Sequence, residues 1–508
     1  MLGRRAFLRN LGLGLLAATS RLRPAFGQGK KPAAERASAV FARLADQARA
    51  RVVGPPPGPI PKIEELTRLS YDELRQIRYR PARSLWRGEG RFFEVQLFHR
   101  GSQYGRPVAI FVDDQPVPFD PSRFIYPAGL DPGRFAGAGY AGLRVHAPFV
   151  RGDYADELLA FLGASYFRAI GRGEGYGLSA RCLAIDTGSD REEFPEITAL
   201  HLVRPEPGDR SIHVVAEVRS ARSEATFHFE ATPGDATILD VEAAVHLRAP
   251  VTSLGLAPLT SMFLFGEEQP ARFGDYRPEV HDSDGLVLVS ATGEQIFRPL
   301  RNPERTTLAS LQLDDPKLFA LVQRDRDPSS YQDYEARYEK RPSAWVEPRS
   351  GFRRGAVRLL EITSHLETDD NIVAAFVPTA ADKELHLSYR VSFGAEPPLR
   401  TAVAQVRAFR SAVPGAGWRP ATDGSRLFVV DWGGADGGAL ETRVDATGGK
   451  VAEVRTEKGP ADGSWRTAFQ VKPSANEVEL RAFLHREGRA ASETLSYLWQ
   501  PGKEVAAR

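Results

Sequence analysis

The sequence predicts an all-β fold class, a large antiparallel β-sandwich followed by a small one, on three observations. Apolar and polar residues alternate in Phe93-Glu94-Val95-Gln96-Leu97, and Leu239, Val241, Ala243, Val245 and Leu247 alternate with Asp240, Glu242 and His246, which is the pattern of half-buried strands. The turn Pro233-Gly234-Asp235 joins Phe227 and Phe229 to the second of these runs, an antiparallel hairpin. Helical patterns between strands are too few for a βαβ fold.

The elements follow in chain order. Residues 1–28 read as an export leader: Arg4-Arg5-Ala6-Phe7-Leu8, an apolar stretch over 11–18, then Ala25-Phe26-Gly27 as a small-x-small cleavage site. The arginine pair followed by x-Phe-Leu matches the twin-arginine route, with a general secretory leader as the alternative; both end outside the cytoplasm. Val40, Phe41, Leu44 and Ala48 then recur at helical spacing until Pro55-Pro56-Pro57 stops the helix. Ser70-Tyr71-Asp72-Glu73 has the form of a capping box and opens a short helix that ends before Pro81. Strands and turns continue to about Phe393, and Glu396-Pro397-Pro398 marks a domain boundary. Beyond it, strands over 427–432, 451–456, 465–471, 478–484 and 495–499, with turns at Gly448-Gly449 and Glu487-Gly488, fit an immunoglobulin-like sandwich. The expected organisation is a leader at 1–28, a large domain at 34–393 and a small one at 400–508.

A chain of 508 residues is too long for one hydrophobic core, and 42% hydrophobic with 26% charged residues is ordinary for a folded globular protein. Sixty-seven basic against 65 acidic residues leave a net charge of +2, which offers no general field for nucleic acid or anionic lipid and points to a neutral ligand. The single cysteine, Cys182, excludes an internal disulfide and a cysteine-based zinc site. The leader's apolar stretch is far short of the ~20 residues a membrane helix needs, and no later segment qualifies.

Gly-x-Ser-x-Gly, P-loop, His-Glu-x-x-His and Cys-x-x-Cys motifs are all missing. Gly171-x-Gly173-x-Gly175-x-Gly177 has no strand and crossover helix beside it and reads as a glycine-rich turn. Two acidic clusters stand directly before apolar strands: Glu279-Val280-His281-Asp282-Ser283-Asp284-Gly285, and Glu367-Thr368-Asp369-Asp370-Asn371. Two carboxyl groups facing one sugar bond are the minimum equipment for glycoside hydrolysis, yet Asp and Asn are also ordinary turn formers. Calcium binding through Asp282 and Asp284 is a further reading, although the full calcium-loop pattern is missing. Tyr276, Tyr331, Tyr334, Tyr338, Arg341 and Trp345 suit an oligosaccharide cleft, where sugar rings stack on aromatic faces, and equally suit a β-rich core.

Several long words of the chain resemble the periplasmic osmoregulated glucan biosynthesis family, the G and D proteins. They are Leu85-Trp86-Arg87-Gly88-Glu89-Gly90, Phe161-Leu162-Gly163-Ala164-Ser165-Tyr166-Phe167-Arg168, Tyr176-Gly177-Leu178-Ser179-Ala180-Arg181 and Leu256-Ala257-Pro258-Leu259-Thr260-Ser261-Met262-Phe263. Tyr276-Arg277-Pro278-Glu279-Val280-His281-Asp282-Ser283-Asp284-Gly285, Gln323-Arg324-Asp325-Arg326-Asp327 and Tyr338-Glu339-Lys340-Arg341-Pro342-Ser343-Ala344-Trp345 complete the set. The likeness runs from about Tyr71 to Phe393, and the twin-arginine leader favours the D-like branch.

The resemblance implies a galactose mutarotase-like large sandwich joined to an immunoglobulin-like domain, a periplasmic location and a role in making β-1,2-glucans. It further implies an inverting β-1,2-glucanase, with Asp370 as general acid, Asp282 as base working through a relay, and Tyr338 positioning the sugar or serving the relay. Glu367, Asp284, Arg341, Trp345 and Tyr276 are the substrate-binding candidates; no cofactor or metal is called for. Expected partners are β-1,2-glucan, a membrane glucan synthase and a second copy of the chain, and not nucleic acid. The acid must hold its proton near neutral pH, which burial or the neighbours Glu367 and Asp369 would favour. This chain has Thr368-Asp369 where the family has Thr-Asn. A non-catalytic glucan-binding factor and a transglycosylase are the competing functions.

Overall fold

In the computed structural model, residues 31–58, 63–271, 274–398, 403–416, 419–435 and 438–502 are described. The leader expected at 1–28 lies outside them. The chain divides into Met1–Pro32 and one compact unit, Ala33–Arg508. The all-β expectation holds: two large sheets of mainly antiparallel strands face each other, and helices are few.

The first sheet runs in the order Glu94–His99, Tyr140–Arg151, Tyr154–Leu162, Tyr166–Ala169, Ser179–Arg181, Leu254–Ser261, Ile372–Pro378, Gly355–Glu361 and Thr307–Gln312. At the middle of the second lies the hairpin Ser223–Thr232 with Thr237–Leu247, in which Phe229 faces Val241 across the strands. One core joins the two sheets, and the Phe161 ring meets Phe229 edge-on at 5.2 Å. Burial of such rings removes large apolar areas from water and does most to hold the layers together.

The helix Ala33–Arg51 covers part of the second sheet's outer face, placing Phe41 and Leu44 on Val215 and Ala244. Thr237–Leu247, whose alternation predicts a half-buried strand, is therefore buried on both faces at its Ala244 end. The capping box forms as expected: Ser70 Oγ accepts from Glu73 N at 3.2 Å, and Ser70 N donates to Glu73 Oε2 at 2.8 Å, opening the helix Tyr71–Gln76.

The short apolar strands Gly285–Val289 and Leu318–Val322 show why some runs do not alternate. Leu286, Leu288, Phe319 and Leu321 enter the main core, whereas Val287, Val289, Leu318, Ala320 and Val322 enter a second core on the other face. That second core holds Phe409, Phe428, Trp432, Phe469, Leu480, Tyr497 and Trp499. A four-stranded sheet of Gln405–Ala412, Arg426–Gly433, Trp465–Pro473 and Gly449–Lys458 forms one wall of it. The opposite wall is a continuation of the second large sheet, because Thr494–Trp499 pairs in parallel with Gln295–Pro299.

Candidate functional site

The outer face of the first sheet forms the floor of a groove. Leu143 and Val145 point into the core, so their neighbour Arg144 points out, level with Gln96 on one side and Ala160 on the other. Ala160 pairs in turn with Arg168, whose Nε donates to Ser179 Oγ at 2.6 Å. A parallel row carries Phe98, Gly142 and Leu162, and Tyr166 lies opposite Arg181, whose guanidinium sits 4.7 Å from the tyrosine ring centre. Gly142 has φ +151°, and a side chain there would collide with the carbonyl of Phe161, so only glycine lets the strands meet at this point. Over this floor lies a cavity of about 400 Å³, lined by Phe98, Tyr104, Glu157, Tyr166, Arg168, Tyr176 and Asp370 among others.

Asp370 reaches the cavity from the end of the strand Ile372–Pro378. The next residue, Asn371, is buried and anchors it: its side-chain oxygen accepts from Phe263 N at 2.9 Å, and its amide donates to the carbonyls of Phe263 and Ile362 at 2.9 and 3.1 Å. Asp370 stays one-third exposed (34%), with Arg168 Nη2 at 3.9 Å. Its acidic neighbours are occupied elsewhere. Asp369 accepts from Ser364 Oγ at 2.8 Å, and Glu367 pairs with Arg277 at 2.8 Å. Arg277 also grips Asp275 and Asp333, which holds its guanidinium charge more firmly than usual.

Asp282 sits in the turn after the two-residue strand Val280–His281, held by a bond from its own N–H to Met262 O at 2.8 Å. It is 6% exposed. Burial pushes its carboxyl above the usual aspartate range; the Arg341 guanidinium, bonded to it, pulls the other way, and the charge of Asp370 adds to the rise. Arg341 also lies 4.2 Å from the centre of the Tyr338 ring. Burial likewise raises the Tyr338 hydroxyl, with Glu367 and Asp282 contributing. Asp282, Asp370, Tyr338, Arg341 and Glu367 thus act on one another electrostatically, or through Arg341, in one neighbourhood.

The other predicted residues lie differently. Trp345 is not the sugar platform that its nearness in sequence to Tyr338 and Arg341 suggests: it is 4% exposed and belongs to the second core, packed with Val322 and Phe409, because strand alternation turns it to the opposite side. Asp284 accepts from Arg324 N and Asp325 N at 2.6 and 3.1 Å and so fastens a neighbouring loop. Tyr276 stands 76% exposed at the surface. No group of residues able to hold a metal ion occurs among the described residues, and the calcium reading through Asp282 and Asp284 finds these two carboxylates engaged by Arg341 and by backbone N–H groups.

Residues that sequence reasoning missed are the outward rows of the floor: Phe98, Arg144, Glu157, Tyr166, Arg168 and Tyr176. Alternation marks Gln96 and its like as outward-facing. That this outward face is a groove follows from which strands lie beside one another.

Asp282 is wired to a further buried cluster through its neighbour His281. That imidazole bonds Glu279 at 2.8 Å and Gln323 at 2.9 Å, and Gln323 donates to the carbonyls of His281 and Tyr338 at 2.9 and 3.1 Å. Burial opposes charge on His281, but Glu279 and Asp284 outweigh it and raise its pKa. Near it Glu268 is buried, and burial, with the charges of Glu267, Glu279 and Asp284, raises its carboxyl well above the usual range. Glu267, bonded to the strand Gln405–Ala412, is pushed up by burial to about 7.

Known proteins resemble this chain over most of its length. A family model described as "Periplasmic glucan biosynthesis protein, MdoG" matches residues 39–499. The chain is 42% identical over 449 residues to glucans biosynthesis protein G of Rhodopseudomonas palustris, spanning 86% of this chain and 88% of that protein. In Ralstonia nicotianae it is 40% identical to a protein G over 517 residues (97% of this chain and 100% of that protein), and 38% identical to glucans biosynthesis protein D 1 over 543 residues (99% of each). Relatives of both names match at nearly equal strength. A family match over almost the whole chain, with these identities, establishes that the chain belongs to the periplasmic glucan biosynthesis protein family, MdoG.

Proposed function

We propose that this protein binds β-1,2-glucan in the groove of the first sheet and hydrolyses it within the chain with inversion, acting in the periplasm. One observation carries the reading: Asp370 opens into a cavity walled by aromatic and arginine side chains, and its charge is felt by the buried Asp282, which reaches the same neighbourhood from another loop. Asp370 gives its proton to the leaving glycosidic oxygen as the carbon–oxygen bond breaks. Water forms the new bond on the opposite face of the sugar, and its proton passes to Asp282 through a relay. Inversion needs ~6.5–9.5 Å between carboxyls, or more when a relay intervenes. Tyr338, 2% exposed and beside Arg341, keeps its hydroxyl protonated and serves the relay.

The test is incubation of purified protein with linear β-1,2-glucan, reading chain length and the anomeric form of the first products by NMR. Shorter chains with inverted anomers are expected. Asp370→Asn should keep affinity and lose about 10²- to 10⁴-fold in rate. A second reading, a holder of nascent chains without turnover, draws on the ion pair that occupies Asp282 in the free protein. It predicts glucan affinity with no change in chain length at any pH, and chains longer than the substrate would mark transglycosylation instead.

A further inference from the structure

Phe98, Tyr104 and Leu162 line the cavity at Asp370 and also line a second cavity of about 610 Å³, so the two adjoin along a shared wall. The second cavity is lined by Tyr71, Arg75 and Arg78 from the helix Tyr71–Gln76 and the residues after it, together with Tyr104 and with Phe98 and Arg144 of the floor.

Its charge differs from that of the first. The cavity at Asp370 carries Glu157 and Asp370 against Arg168. The second carries Arg75, Arg78 and Arg144, and none of its lining residues is acidic. Arg144 is already committed, donating to Glu157 and Gln96 at 2.8 Å each. Arg75 and Arg78 are exposed and make no ion pair among the described residues; Arg75 lies 5.8 Å from the centre of the Tyr71 ring. The bias is built into the chain, since five arginines and no acidic residue stand between Glu73 and Glu89.

A neutral sugar chain is satisfied by aromatic faces and mixed donors and acceptors, as in the first cavity. Two guanidiniums without an ion pair beside the exposed Tyr71, in a compartment without carboxylates, suit a sugar that carries a negative charge. Resting on the glucan reading above, we propose that the second cavity binds a sugar of the same chain bearing an anionic substituent, a carboxylate or a phosphate ester, so that the protein prefers anionically substituted β-1,2-glucan to the plain polymer. Arg75 and Arg78 contact the anion, and the exposed Tyr71 contacts the sugar ring.

The experiment is a fluorescence titration of the full chain with three probes: linear β-1,2-glucan, the same glucan carrying succinyl half-esters, and free succinate. The succinylated chain should bind about tenfold tighter than the plain one at low salt, with the advantage shrinking at high salt. Arg75→Gln/Arg78→Gln should erase the advantage and leave affinity for plain glucan within about twofold, whereas Arg75→Lys/Arg78→Lys should retain part of it. Unchanged thermal melting of these exposed-site variants excludes a folding defect. Equal affinity for the two chains, an advantage that survives the glutamine substitutions, or free succinate binding as tightly as the substituted chain would each overturn the inference while leaving the glucan reading intact. Failure of the protein to bind either chain would instead remove the glucan reading, and this inference with it.

Discussion

Asp282 and Asp370 are both aspartates next to strands, yet their surroundings give them different parts. Asp370 stands at the cavity wall with Arg168 at the edge of its reach, open to a leaving group. Asp282 is buried and raised by that burial, and Arg341 is what keeps its charged form accessible. A base must be ionised to work, so activity should fall as pH drops through the folded pKa of Asp282, at a pH above the ~4 of an ordinary aspartate. Arg341→Gln removes the opposing positive charge and should move that acid limb of kcat/KM to still higher pH. An acid limb that stays put in the Arg341→Gln profile would mean that Asp282 is not the titrating base.

The loop of Tyr338-Glu339-Lys340-Arg341 and the glycine-rich turn at Gly177 are matched to one another. A side-chain carbon on Gly177 would lie 2.8 Å from Arg341 Cβ and 3.1 Å from its Cδ, so the glycine leaves the space in which the arginine lies along Tyr338 towards Asp282. This gives the glycine run a structural purpose unconnected with nucleotides. Gly177→Ala should displace Arg341, cost at most about 1–3 kcal/mol in stability through overpacking, and lower kcat far more than it lowers affinity for glucan. Thermal melting and steady-state kinetics on one preparation check both halves. The chain words around this loop and around Asp282 are readable as family motifs in the sequence alone. The outward residues Phe98 and Arg144 are not, and the word that ends at Arg168 does not mark it as part of a groove, because a strand's outer face looks the same in sequence whether it meets solvent or a substrate.

Across the molecule, the C-terminal strands are joined to the turn that holds Asp282. Buried Arg324 pairs with Glu493 at 2.5 and 2.9 Å, bonds Val406 O at 2.9 Å, and gives its own N–H to Asp284. Removing one partner strands the other charge in a dry interior, so Glu493→Gln should destabilise by about 3–5 kcal/mol, measured by urea unfolding. Arg324→Met/Glu493→Met should cost less than either single change, and a purely additive result would argue against a coupled pair. Glu267, bonded to Phe409 N and Arg410 at 2.9 and 2.7 Å, reports on the same junction. Its folded pKa of about 7 exceeds the value in an unfolded chain, so the folded state holds more protons between about pH 4.5 and 7 and loses stability as pH rises across that window. Glu267→Gln should therefore gain on wild type in Tm over that range, with the two converging at lower pH.

What could be read from the residues alone was local. The Pro233-Gly234-Asp235 hairpin, the capping box at Ser70 and the strands that follow the acidic words depend on neighbours a few positions away, and these formed in the fold as their spacing implied. Which strands lie side by side depends on pairings between residues far apart in the chain. Those pairings set the groove floor, sent Trp345 into the second core, and ran Thr494–Trp499 onto the large sheet beside Gln295–Pro299. They also brought Arg75 and Arg78 to a cavity that adjoins the one lined by Asp370, since a short motif records what a residue is, and packing alone records what it faces.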